Sequence, residues 1–255
     1  GDERLYALIG AIDDATGRVW ARFELAETTE GYFRVMEAVL RQGVPLELYS
    51  DRDSVFTINH PNNRYELHQR GAPRETQFGR AMRELDVRII LAHSPQAKGR
   101  IERLWKTCQD RLLNELKLEG IKTLAEANRY LHRVFLPQHN RQFTRPPVKS
   151  ESAFRSTPVN WQRVLCIRES RTLANDHTFP MASKLYQVLP HPAFHALRGK
   201  RVEVCQALRG GMEVYLKSYR LKVREAPKDQ PRIFPIPPRG DRKGNQERTF
   251  LLRLK

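Results

Sequence analysis

Leu91–Trp105 reads LAHSPQAKGRIERLW. An apolar, strand-like run, Val87–Ala92, breaks into a polar turn, and the turn opens directly into a helical pattern carrying Glu102. Ser94, Pro95, Gln96 and Gly99 are an unfavourable lead-in to a helix unless the turn has something to place. Ile101, Leu104, Trp105, Cys108, Leu112 and Leu116 follow at helical spacing and give a long helix one apolar face. Glu102 lies about 100° round that helix from Ile101. It therefore faces a sheet edge while Ile101, Leu104 and Trp105 pack inward. Strand, turn and helix in this order indicate an α/β fold.

The segments upstream agree with it. Leu5–Ile12 reads as a buried strand, DDATG (Asp13–Gly17) as a turn, and Arg18–Phe23 as the returning strand of a hairpin. Thr28 or Thr29 caps a helix in which Tyr32, Phe33, Met36, Val39 and Leu40 recur, with Gly43 as its stop. PLELYS is a short strand ending at Asp51, and Phe78, Met82 and Leu85 mark another helix before Val87–Ala92. Helices between successive strands favour parallel neighbours.

Downstream, Thr123 and Glu126 form a capping box for a helix running to about His139. A Pro/Lys/Arg-rich stretch, NRQFTRPPVKS (Asn140–Ser150), marks a change of composition. Beyond Leu165 the pattern turns to short alternating strands, KLYQVL, KRVEVCQAL and MEVYLKSYRLKV, the signature of a small SH3-like β-barrel. The expected organisation is a core over 1–145, a linker over 146–164, a basic β-barrel over 165–226 and a flexible basic tail over 227–255.

Composition narrows the class. The chain has 255 residues and no apolar run of the roughly 20 residues that a membrane span needs. Cys108, Cys166 and Cys205 are odd in number and far apart, which supports neither a disulfide framework nor a zinc site. A reducing, intracellular setting is the expected one. The net charge of +16 is uneven: residues 1–150 hold 24 basic and 20 acidic side chains, residues 151–255 hold 21 and 9. A near-balanced half joined to a strongly basic one suggests a polyanion partner, nucleic acid first.

Asp51 follows a strand at its carboxyl end, where open α/β sheets keep their ligands. An Asp there and a Glu at the start of a neighbouring helix are oxygen donors of the kind a divalent cation takes. From spacing alone two readings stay open: a shared metal site, or a turn aspartate together with an ordinary Glu102–Lys106 surface pair.

YSDRDSVF (Tyr49–Phe56) and HSPQAKGRIERLWKT (His93–Thr107) resemble the second and third catalytic blocks of the DDE transposase and retroviral-type integrase superfamily. AIDDATGRVWARFELAETTEGYF (Ala11–Phe33) resembles the hairpin and first helix of the same core. Together with TQFGRAMREL and EANRYL, these motifs are most similar to bacterial insertion-sequence transposases of the ISNCY type. The segment RESRTLANDHTF with KLYQVL resembles, more loosely, the Mu-transposase-type C-terminal β domain.

The resemblance implies an RNase H-like mixed sheet flanked by helices. It implies metal-dependent phosphodiester cleavage and strand transfer, with Asp51 and Glu102 as the second and third catalytic carboxylates holding two Mg2+ (or Mn2+) ions. The first carboxylate of the pattern is expected upstream of Gly1, because Asp2, Asp13 and Asp14 do not match it. The chain is therefore expected to lack its first catalytic strand and to be inactive as it stands. Transposon ends and target DNA are the implied partners, bound by a homo-oligomer.

Gln96, Lys98, Arg100, Arg103 and Lys106 are the expected DNA-facing residues around Glu102. Arg198, Lys200, Arg201, Lys217, Arg220, Lys222 and Arg224 are those of the β-rich region. Two rival readings remain at this stage. One is a catalytically incomplete DNA-binding fragment that regulates or joins full-length transposase; the other is an RNase H-fold nuclease without strand transfer.

Overall fold

A computed structural model describes residues 6–50, 55–56, 75–91, 102–149, 151–194 and 196–226. The chain divides into two compact units that meet in sequence at Cys166 and Ile167.

The first unit opens with the expected hairpin. Strands β1 (Ala7–Ile12) and β2 (Val19–Glu24) pair antiparallel, from Ala7 opposite Glu24 to Ile12 opposite Val19. Helix α1 (Thr29–Leu40) starts where the Thr28 hydroxyl accepts from the Gly31 N–H, satisfying one of the free donors of its first turn. Strands β3 (Val44–Pro45) and β4 (Glu47–Ser50) follow, and helix α2 (Gln77–Glu84) is capped in the same way by Thr76. Strand β5 (Arg88–Leu91) lies parallel to β4, with Ser50 opposite Leu91, as the intervening helix led one to expect. An ion pair between Glu47 and Arg88, also opposite one another, closes the other end of that ladder.

Two long helical runs cover the hairpin. Run α3 covers 102–118 and contains a π turn, Cys108–Leu112; run α4 extends from Leu124 to Phe143 with a π turn at Leu131–Phe135. The Thr123–Glu126 capping box is present in both halves. Leu104, Cys108, Leu112, Leu131, Phe135 and Leu136 pack with Val19, Ala21 and Phe23 of β2 in one buried cluster. Phe33 of α1 stacks on Phe78 of α2, with ring centroids 5.9 Å apart, and both rings are buried.

The helix α4 continues past His139 to Phe143. Beyond it, strand β6 (Phe154–Arg155) pairs with β3, the Arg155 guanidinium binds Asp86 and the Leu85 carbonyl, and the Thr157 hydroxyl donates to the Leu40 carbonyl. The short helix α5 (Trp161–Val164) is tied down by Arg80, which donates to the carbonyls of Val164 and Cys166.

The described residues of the second unit are all β in their regular elements. Strands β7 (Cys166–Thr172), β10 (Arg201–Ala207), β11 (Met212–Leu216) and β12 (Tyr219–Leu221) form one sheet in the order β12-β11-β10-β7. Strands β8 (Thr178–Met181), β9 (Lys184–Val188) and β13 (Val223–Glu225) form a second, in the order β13-β9-β8. Leu173, Phe179, Val188, Leu197, Val204, Val214 and Leu221 fill the core they share. The described strands thus make two open sheets over one core, and no closed barrel. The chain changes sheets at Lys222, whose carbonyl accepts from the Leu189 N–H at 2.9 Å. That switch ends the β12 ladder after three residues.

Candidate functional site

The parallel pair β4–β5 brings two strand ends side by side, Ser50 against Leu91. Asp51 continues directly from the first of them in sequence. Asp51, Gln96, Lys98 and Arg100 lie outside the described residues. Ser50 is buried, and its hydroxyl has no hydrogen-bond partner among the described residues. Phe56, at the end of the YSDRDSVF block, is wedged between Tyr32 (4.9 Å) of α1 and Phe78 (5.1 Å) of α2.

Glu102 stands at the start of α3 and is exposed. Two contacts set its place. Leu104 is buried against β2, and Trp105 lies over β1, where a Cβ on Gly10 would come within 2.9 Å of the indole. Only glycine leaves room for the ring at that position, so the first turn of α3 is seated closely on the hairpin. With Leu104 and Trp105 held inward, Glu102, Arg103 and Lys106 are left outward. The surface-pair reading of Glu102 fails: Glu102 and Lys106 make no ion pair, and the Glu102 carboxylate has no partner among the described residues. Among those residues, no cluster of three or more His, Cys, Asp or Glu side chains is set to hold a metal ion.

The cysteines are not reactive candidates. All three are buried free thiols, and burial pushes the Cys108 thiol up to about 11, so it stays protonated at neutral pH.

The seven cations expected to face DNA in the second unit separate into two groups. Arg220 pairs with Glu213 at 2.8 Å, Arg224 donates twice to the Gln187 amide oxygen, and Arg201 donates to the Ser170 hydroxyl. Arg198, Lys200, Lys217 and Lys222 are exposed, and their side chains have no partner among the described residues. The alternation seen in the sequence did not distinguish the two groups. What divides them is the acceptor opposite each cation across the ladder: Arg224 faces Gln187, and Arg220 faces Tyr215, next but one to Glu213.

No helix among the described residues is long and apolar enough to cross a membrane. No protein-family model matches the chain. It is 36% identical over 229 residues to the putative transposase y4bF of Sinorhizobium fredii, a match covering 88% of this chain and 49% of that protein. It is 33% identical over 178 residues to the transposase for insertion sequence IS1202 of Streptococcus pneumoniae, covering 69% and 37% respectively. The chain therefore spans about half the length, or less, of the curated relatives it matches. A chain from the cryo-EM structure of the simian T-cell lymphotropic virus intasome in complex with PP2A regulatory subunit B56 gamma is also similar. Its TM-score is 0.39 at 12% identity, over 90% of this chain and 75% of that one. Both curated relatives bear the name transposase, one of them of a bacterial insertion sequence, and the chain is similar to each over most of its own length.

Proposed function

We propose that the first unit is the RNase H-like catalytic core of a DNA transposase, and that Asp51 and Glu102 are two of its metal-binding carboxylates. The observation that carries the reading is Glu102 itself: an exposed carboxylate without a partner among the described residues, at the head of a helix seated on the hairpin, in a chain similar to transposases over most of its length. The parallel end of β4 and β5 supports it, because Asp51 follows Ser50, the last residue of β4, in sequence.

Carboxylate oxygens suit a hard cation, so the donor set fits magnesium or manganese. Two such ions, when bound, supply an activated water and a stabilised leaving oxygen for phosphodiester cleavage and transfer of the freed 3′ hydroxyl to target DNA. Arg103 and Lys106, outward on the same turns of α3, hold the DNA phosphates beside the scissile bond. The second unit acts as a small SH3-like module that grips the DNA backbone through Arg198, Lys200, Lys217 and Lys222. Transposon ends and target DNA are the partners, paired by a homo-oligomer in the bacterial nucleoid.

The test is end cleavage and joining by the protein that carries this chain, with Mg2+. Asp51→Asn and Glu102→Gln should each lower both steps at least about 100-fold, since even outer-shell partners of a metal are worth 10–100-fold. Binding of transposon-end DNA should persist in both variants. Undiminished joining by either one overturns the assignment.

A further inference from the structure

We propose that His191, Phe194 and Tyr219 form a stacking platform for an unpaired DNA base, with Lys217 and Lys222 on the phosphates that flank it. The inference rests on the transposase reading and adds to it a structural feature of the DNA that the second unit selects.

The three rings meet where the β9–β10 connection passes the start of β12. Their centroids are 5.4 Å apart for His191–Phe194, 5.6 Å for His191–Tyr219 and 5.2 Å for Phe194–Tyr219. Tyr219 stands nearly at right angles to both neighbours, 73° and 84°. The cluster is built on fixed backbone. Phe194 N–H donates to the His191 carbonyl at 3.0 Å across a turn with Pro192 at its second position, and Ala193 N–H donates to His191 Nδ1 at 3.1 Å. Phe194 packs against the core between the sheets, yet Tyr219 keeps 47% of its surface exposed. A ring group that served only to extend the core would be closed over. This one is held rigid and left open, so little ordering cost remains for a ligand ring that stacks on it.

The charge beside it is placed at a cost. Lys217 occupies a two-residue hairpin between Leu216 and Tyr219 with φ +57, a conformation that favours Gly or Asn. A strained lysine in such a turn points to a role for the charge. Lys222 follows the last residue of β12, and its carbonyl accepts from the N–H of Leu189, two residues before His191. Neither lysine side chain has a partner among the described residues. Exposed cations before and after Tyr219 in the chain, next to an open aromatic cluster, are the kind of group that binds single-stranded nucleic acid: the charges follow the backbone and the ring takes a base. In a duplex the base faces are covered by their neighbours, so the occupant is a base already unpaired or turned out of the stack.

The experiment compares binding of two DNAs by this chain, a plain duplex and the same duplex with a short single-stranded flap. The chain should prefer the flapped DNA, and Tyr219→Ala should abolish that preference, a loss of roughly fivefold to a hundredfold, while duplex binding stays within about twofold. Tyr219→Phe should retain the preference. Lys217→Ala and Lys222→Ala should each lower the slope of log affinity against log salt on the flapped DNA by about 0.7.

A readout that needs no variant is photocrosslinking of 5-iodouracil in the flap, mapped by mass spectrometry; Tyr219 or His191 is the expected site. Equal affinity of the unaltered chain for the two DNAs overturns the proposal, and so do crosslinks confined to other residues. Either result leaves the transposase reading standing, whereas failure to bind any DNA removes both.

Discussion

Asn128 and Asn140 act on β2 as a neighbouring strand would. The Asn128 amide accepts from the Phe23 N–H and donates to the Phe23 carbonyl, each at 2.9 Å. Asn140 does the same at Val19, at 2.8 and 2.9 Å. An edge strand under a helix is normally left with unpaired donors and acceptors, a costly state once water is gone. Replacing Asn140 by alanine would leave the Val19 N–H and carbonyl without partners beside a buried side chain. The expected loss is roughly 2–4 kcal/mol in denaturant unfolding, from two orphaned groups at about 1–3 kcal/mol each with partial rescue by water. Asn140→Asp should restore little of it, because a carboxylate cannot donate to the Val19 carbonyl. If Asn140→Ala unfolds with the midpoint of the unaltered chain, the clamp contributes nothing.

At the scale of the element, the two clamps explain the π turn between them. Twelve residues of α-helix turn through about 1200°, which would leave the two amides roughly 120° apart around the helix. The π turn Leu131–Phe135 absorbs one extra residue, marked by Leu136 N–H bonding to the Leu131 carbonyl, and so returns Asn140 to the face of Asn128. Pro137 lies just beyond it; in a regular helix its ring would press on the Arg133 carbonyl, and the wider turn makes room. Deleting Arg133, an exposed residue of that turn, together with Pro137→Ala to remove the ring that needs the wider turn, should convert the segment to plain α-helix and keep both clamps. The variant should fold with near-normal thermal stability, whereas inserting an alanine at the same place should not. Collapse of the deletion variant to a molten or aggregated state would refute the phase argument.

The sequence carried much of this. The hairpin, the parallel return to β5, a cap at Thr28 or Thr29 and the Thr123–Glu126 capping box were all legible, because each is written in residues close in sequence; the choice of Thr28 was not. The outward placement of Glu102 was also legible, from the apolar spacing around it. The asparagine clamps, the π turns and the pairing of β6 with β3 were not. Each depends on partners far along the chain, and an Asn in a polar stretch gives no sign of the strand it will meet. The division of the basic residues into paired and free was hidden for the same reason.

Across the molecule, all three tryptophans, Trp20, Trp105 and Trp161, belong to the first unit, so tryptophan fluorescence follows that unit alone. The same unit contains two histidines whose protonation opposes folding. His139 lies buried between Phe135 and Phe143, with Nδ1 lacking a partner among the described residues; burial, and then the nearby Arg111 charge, lower its pKa below the ordinary 6.5. His132 is lowered by burial and by Arg22 and Arg41. The unfolded chain takes up these protons as pH falls through about 6.5, while the folded unit resists them. Stability is therefore fully present above that pH and declines below it, until the folded histidines protonate as well. Because α3 and α4 share one core, the seat of Glu102 weakens along with α4. Fluorescence-monitored unfolding should show a lower midpoint at pH 5.5 than at pH 7.5. His139→Phe, which removes the orphaned nitrogen and keeps the stack of rings, should raise the midpoint at both values and shrink the difference between them, the remainder belonging to His132. A pH dependence unchanged by His139→Phe would show that His139 does not contribute to it.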